Sequence, residues 1–163
     1  MKPISIGKAT LLFAALTLVW VGSHAWSQTH RSTTEELARE SDLVAVGKVK
    51  ELRSEWTAGQ KAIVTRVTLG LEEVLKGNSG QSVTLVVPGG EVDGVGEWYS
   101  HTPRFKKEEE IVVFAKRQGT SAFRVARGEE GRLLITKDPR TGNRHVAGGM
   151  TLDEVKKRVK NTR

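Results

Sequence analysis

Residues 63–71, IVTRVTLGL, decide the fold class. Ile63, Thr65, Val67, Leu69 and Leu71 fall on one side of an extended chain. Val64, Arg66, Thr68 and Gly70 fall on the other. Successive side chains of a strand point to opposite faces, so this spacing sends one row to a core and the other towards water. Glu72 to Lys76 continues the strand, and Gly77 closes it.

On the N-terminal side, 43–52 (LVAVGKVKEL) begins as an unbroken apolar run and then alternates. That suits a strand buried on both faces at its start and on one face later. Gly47 inside it marks a bulge or a sharp bend. Trp56 to Gln60 reads as the turn between the two strands. Further upstream, Thr33-Thr34-Glu35-Glu36 fits a capping box and predicts a short helix over 34–40.

On the C-terminal side, Val83, Leu85 and Val87 mark a third strand, stopped by Pro88-Gly89-Gly90. A loop rich in glycine and acids follows over 91–97. Further strands are expected over 110–117, 122–127 and 131–137. The turn signal Asp138-Pro139-Arg140-Thr141-Gly142-Asn143 would let His145 and Val146 pair back on Leu134 and Ile135. Thr151-Leu152-Asp153-Glu154 is a second capping box. It opens a helix whose Leu152, Val155 and Val159 form an apolar stripe. Five or six strands with short terminal helices and no βαβ alternation predict a mainly β protein, a small antiparallel barrel of the OB kind.

Residues 1–27 carry a different message. Lys2 and Lys8 precede the uncharged run ATLLFAALTLVWVG, and small residues at Ser23, Ala25 and Ser27 offer sites for a signal peptidase. This is the pattern of a secretory signal, with cleavage near Ala25 to Ser27 and a secreted or periplasmic product. An uncleaved signal tethering the chain to a membrane is the alternative. The apolar run is shorter than the roughly 20 residues a spanning helix needs, so no stable span is expected after cleavage. The expected division is a signal over 1–27, an OB-like barrel over 28–150 and a basic C-terminal helix over 151–163. The protein contains no cysteine. Disulfides, thiolate metal sites and a lipid anchor on cysteine are thereby excluded. The formal net charge is +7, which suits an anionic partner or surface. Its one strongly basic block is VKKRVKNTR at 155–163.

The stretches SDLVAVGKVKELRSEW (41–56), VTLGLEEVLKG (67–77), VTLVVPGG (83–90) and RFKKEEEIVVFAKR (104–117) follow one another in a recognisable order. The order resembles a group of uncharacterised exported bacterial proteins. It is also similar to the netrin-like domain of tissue inhibitors of metalloproteinases, an OB-type barrel. Asp42, Gly47, Lys76-Gly77 and Gly89-Gly90 are its sharpest points, and Lys107-Glu108 depart from the glycine that the bacterial group carries before its two acids. The resemblance implies a fold more than a function. Inhibitors of that kind hold the protease zinc through an N-terminal cysteine, which this chain lacks.

Few residues point to chemistry. His24, His30, His101 and His145 form no HxH or HExxH pattern, so no metal site is expected. The acids at Glu91, Asp93 and Glu97 do not have the spacing of a calcium loop, and no cofactor is implied. Outside the expected signal, nucleophile motifs such as GxSxG and SxxK are absent, and no enzymatic activity is expected. The densest aromatic cluster outside the signal is Trp98, Tyr99, His101 and Phe105, flanked by Arg104 and Lys106. It is either a binding surface or a plug over the barrel end. The expected function is an exported, non-enzymatic binding module for a protein or ligand in the cell envelope or outside. The alternatives are a secreted protease regulator and a binder of an anionic polymer. Export argues against a nucleic acid partner.

Overall fold

The computed structural model describes residues 31–162. The expected signal, its cleavage region, His24 and His30 lie outside them. The described residues form a mainly β structure with nine strands and two α-helices. No helix among them is long and apolar enough to cross a membrane.

Helix α1 (Thr34–Glu40) starts at its expected capping box. The Thr33 hydroxyl accepts from the Glu36 amide at 3.2 Å, and the Glu36 carboxylate accepts from the Thr33 amide at 2.9 Å. Both bonds satisfy amides that the first helical turn leaves unpaired. At the other end the Ser41 hydroxyl donates to the Leu37 carbonyl, and the Lys76 ammonium donates to that of Ala38. Strand β1 (Leu43–Trp56) then pairs antiparallel along its length with β2 (Ile63–Lys76). Trp56 belongs to the strand, opposite Ile63, rather than to the turn. Register shifts interrupt the pairing between Val44 and Ala45, Val46 and Gly47, and Val49 and Glu51. At Gly47 a Cβ would lie 2.6 Å from the Gly70 carbonyl oxygen, so only glycine lets the two backbones approach.

Strand β3 (Ser82–Pro88) pairs antiparallel with β2. After β3 the chain forms a small separate hairpin of β4 (Gly90–Val92) and β5 (Val95–Glu97), where a loop was expected. Its corner is Asp93-Gly94, with φ of 50° and 79°. Two residues of positive φ at an Asp-Gly corner suit the turn that matches strand twist. Strand β6 (Glu110–Gln118) pairs with β1 on one edge. Its other edge is shared by β7 (Ala122–Val125) and β8 (Arg132–Lys137), which a short 3₁₀ turn at Gly128–Gly131 separates. The expected fifth strand ends early because Arg127 turns to φ 49° and leads into that turn. Strand β9 (Arg144–Val146) pairs with β8, with Val146 opposite Ile135 and His145 opposite Thr136.

The seven-stranded sheet is mixed, not antiparallel throughout. Thr84 and Leu85 of β3 run parallel to Ala122 and Phe123 of β7. The pairings β1–β2, β2–β3, β3–β7, β7–β6 and β6–β1 form a circuit of five strands. Strand direction cannot alternate around an odd number, so one pair in the circuit has to be parallel.

Two hydrophobic clusters lie on opposite faces of β1 and β6. Leu43, Ala45, Ile111 and Val113 join side chains of β2, β3 and β7 in one cluster. Val44, Val46, Val112 and Phe114 join α1, β8, β9 and helix α2 (Leu152–Lys160) in the other. Burial on both faces explains the unbroken apolar runs at 43–46 and 111–115. The stripe of α2, Leu152, Val155 and Val159, is buried in the second cluster, behind its own capping box at Thr151 and Glu154.

Candidate functional site

The expected site lies in the segment between β5 and β6, and glycines set its course. Gly89 and Gly90 have φ of 85° and 140°. A Cβ on Gly90 would stand 2.4 Å from the Thr65 hydroxyl oxygen and 2.5 Å from that of Ser54. The β4–β5 hairpin can therefore pass directly over the ends of β1 and β2. Glu97 anchors it there: its carboxylate accepts from the Ile63 amide at 2.9 Å and from the Tyr99 hydroxyl at 3.1 Å. That bond and the nearby negative charge push the Tyr99 phenol above its ordinary pKa.

Beyond Tyr99 the chain divides into exposed and anchored groups. Trp98 is 67% exposed and Tyr99 51%. Phe105 is half-buried against the cluster inside the five-strand circuit, with the Arg132 guanidinium 5.4 Å from its ring centroid. Arg132 also pairs with Glu109 at 2.5 Å, and the Glu109 carboxylate accepts from the Lys106 amide. The segment rejoins the sheet where Glu108 donates to the Val49 carbonyl and the Val49 amide donates to that of Glu109.

A cavity of about 400 Å³ opens beneath this segment. Leu52 and Ser54 of β1, Thr65 of β2 and Val87 of β3 line it from the sheet; Trp98, Tyr99, Pro103, Arg104, Phe105 and Lys106 line it from the segment. The Ser54 and Thr65 hydroxyls lie 3.0 Å apart, and Thr65 donates to the Gly89 carbonyl at 2.7 Å. The Arg104 guanidinium lies over the Trp98 ring. Neither Arg104 nor Lys106 forms an ion pair among the described residues.

Five of the six expected residues thus meet at one cavity. The sixth, His101, does not line it. Its backbone takes φ 61° and its carbonyl accepts from the Glu129 amide at 3.0 Å, which ties the segment to the 3₁₀ turn. Within the cluster, Phe105 packs half-buried against the sheet, while Trp98 and Tyr99 stand in solvent. Sequence reasoning missed Leu52, Ser54, Thr65, Val87 and Glu97. For Thr65 a signal existed in its place on the inward row of β2.

His145 lies half-buried on β9, remote in sequence from the cavity segment. Among the described residues no group of three or more His, Asp and Glu side chains is placed to hold a metal ion. Two cations of the basic block pair with carboxylates of other elements, Lys156 with Glu73 of β2 at 2.6 Å and Arg158 with Glu35 of α1 at 3.3 Å.

These features define a mainly β protein with a mixed sheet and an aromatic-rimmed cavity beside β1, β2 and β3. No known family model matches the chain, and no curated protein matches it.

Proposed function

We propose that the protein is an exported, non-enzymatic binding module built on an OB-type, netrin-like barrel. The barrel reading is supported by the five-strand pairing circuit with its single parallel pair, β3 with β7. Apolar side chains from all five strands inside that circuit support it further. Export rests on the pattern of residues 1–27. The observation that carries the binding role is the exposure of Trp98 and Tyr99 at the rim of an apolar-walled cavity, beside the unpaired cations Arg104 and Lys106. Exposed aromatic and arginine side chains around a pocket are the composition of interaction hot spots.

The test places a photoreactive phenylalanine analogue at residue 98 or, as a control, at Arg140 in the exposed 138–143 turn. Irradiation in the native envelope fraction should give a discrete adduct from residue 98 and none from 140. Equal labelling from both, or turnover of a substrate by the purified protein, overturns the reading. Fractionation tests the address: the product should leave the cytoplasm with a new N-terminus after residue 25 or 27.

A further inference from the structure

Resting on the binding role given above to this cavity, we propose that its occupant is an acidic peptide segment that inserts one large apolar side chain beneath the Trp98–Lys106 segment.

The walls select the inserted group. Leu52, Val87, Pro103 and Phe105 present hydrocarbon to the cavity. The two hydroxyls on its floor are already committed, Ser54 to Thr65 and Thr65 to the Gly89 carbonyl. A sugar ring brings hydroxyls that need partners of their own, and burying them unpaired opposes binding. A leucine or phenylalanine side chain makes no such demand. A volume of about 400 Å³ holds one such side chain together with part of its backbone.

The rim selects the charge. Arg104 lies with its guanidinium carbon 5.3 Å from the Trp98 ring centroid. Stacking on an aromatic face leaves the guanidinium edge, with its fork of N–H donors, free for a carboxylate. Lys106 adds a second cation on the same rim. Against them stands Glu91, the one carboxylate among the described residues lining the cavity. Glu97, whose carboxylate accepts from the Ile63 amide and the Tyr99 hydroxyl, does not line the cavity. Opposite charges on partner and rim favour encounter and fix register. The Trp, Tyr and Arg trio also matches the side chains that dominate protein contacts.

Panning a random dodecapeptide library on the immobilised full chain tests the proposal. Selected peptides should carry one Phe, Trp, Leu or Ile flanked by Asp or Glu. In fluorescence anisotropy, Arg104→Glu should weaken the best peptide at least about tenfold, and added salt should weaken it further. Lys157→Glu, on α2, should leave it unchanged. Selected peptides lacking acids, or indifferent to Arg104→Glu, overturn the proposal. So does binding of an oligouronate with no peptide selected; if Trp98→Ala then abolishes the oligouronate signal, the binding role of the cavity stands. Peptide or oligouronate binding that survives Trp98→Ala overturns the binding role as well. If neither probe binds, the proposal fails, and the cross-link from residue 98 decides the binding role separately.

Discussion

The Arg104 guanidinium carbon lies 5.3 Å from the centroid of the Trp98 ring, and the two side chains share the rim of the cavity. A cation over an exposed indole gains roughly 0.5–1 kcal/mol. Arg104→Ala should therefore lower stability in urea by no more than about 1 kcal/mol and shift the emission of Trp98. The measurement is clean in a background with Trp20, Trp26 and Trp56 replaced by phenylalanine, which leaves Trp98 as the sole tryptophan. Unchanged emission would mean that the two groups do not interact in solution.

Trp98 and Phe105 should separate function from stability. Phe105 packs against the cluster inside the five-strand circuit, so Phe105→Ala should lower the unfolding free energy by about 2–3 kcal/mol. Trp98, 67% exposed, should lose less than about 0.5 kcal/mol on truncation, while the proposed binding is lost. Chemical denaturation of the two variants beside the parent decides it. Equal losses would contradict the division of the segment into a packed Phe105 and an exposed Trp98.

Gly47 and Gly80 make a matched pair for the backbone argument. An alanine Cβ at 47 meets the Gly70 carbonyl oxygen at 2.6 Å and the Leu69 side chain at 2.9 Å; at 80 it meets nothing within 4 Å. Gly47→Ala should destabilise by about 2–3 kcal/mol through overpacking. Gly80→Ala should be neutral or slightly stabilising. A tolerated Gly47→Ala would show that β1 and β2 can separate at the bulge.

Local chemistry explains what could be read along the chain before the fold was known. Thr33 with Glu36, and Thr151 with Glu154, start both helices, and the alternation at 63–71 places the inward row of β2 correctly. The parallel pairing of β3 with β7 joins strands far apart in sequence, and no local pattern encodes it. The cavity floor was hidden for a sharper reason. Before the register shift between Val49 and Glu51, odd-numbered residues of β1 face the five-strand cluster; after it, Leu52 stands opposite Val67 and Ser54 opposite Thr65. One extra residue exchanges the faces of all that follow, so simple alternation from Leu43 assigns Leu52 and Ser54 to the wrong side. His101 stands beside its aromatic neighbours in the sequence, but its positive φ turns the backbone towards Glu129.

Tyr99 is the only tyrosine of the chain, so ultraviolet absorbance titrates it alone. Its hydrogen bond to Glu97, and the charge of that carboxylate, favour the neutral phenol. The midpoint should lie above the ordinary value of 10.0, and Glu97→Gln should bring it down towards that value. A midpoint at or below the ordinary value in the parent would show that the contact is not kept in solution.

Acid should loosen the link between α1 and the 3₁₀ turn. Arg127 donates to both Ser32 and Glu40, and Ser32 donates to Glu130. Glu40 is held below its ordinary pKa of 4.5 first by the Arg127 hydrogen bond, with Lys116 adding to it. Glu130 is lowered first by the Ser32 hydroxyl. Glu72 is lowered by Arg144, and Glu154 by the Thr151 amide of its own helix cap. Each of these carboxyls binds protons more weakly folded than unfolded. The stability they contribute is therefore complete above 4.5 and lost as pH falls through their folded values. All are solvent-accessible, so screening keeps each contribution small. The melting temperature followed by circular dichroism should be level from neutral pH to about pH 5 and decline below it. Glu40→Gln should lower the neutral plateau and make the acid decline shallower. A melting temperature that rises on acidification, or a Glu40→Gln profile parallel to the parent, would remove this linkage as the cause.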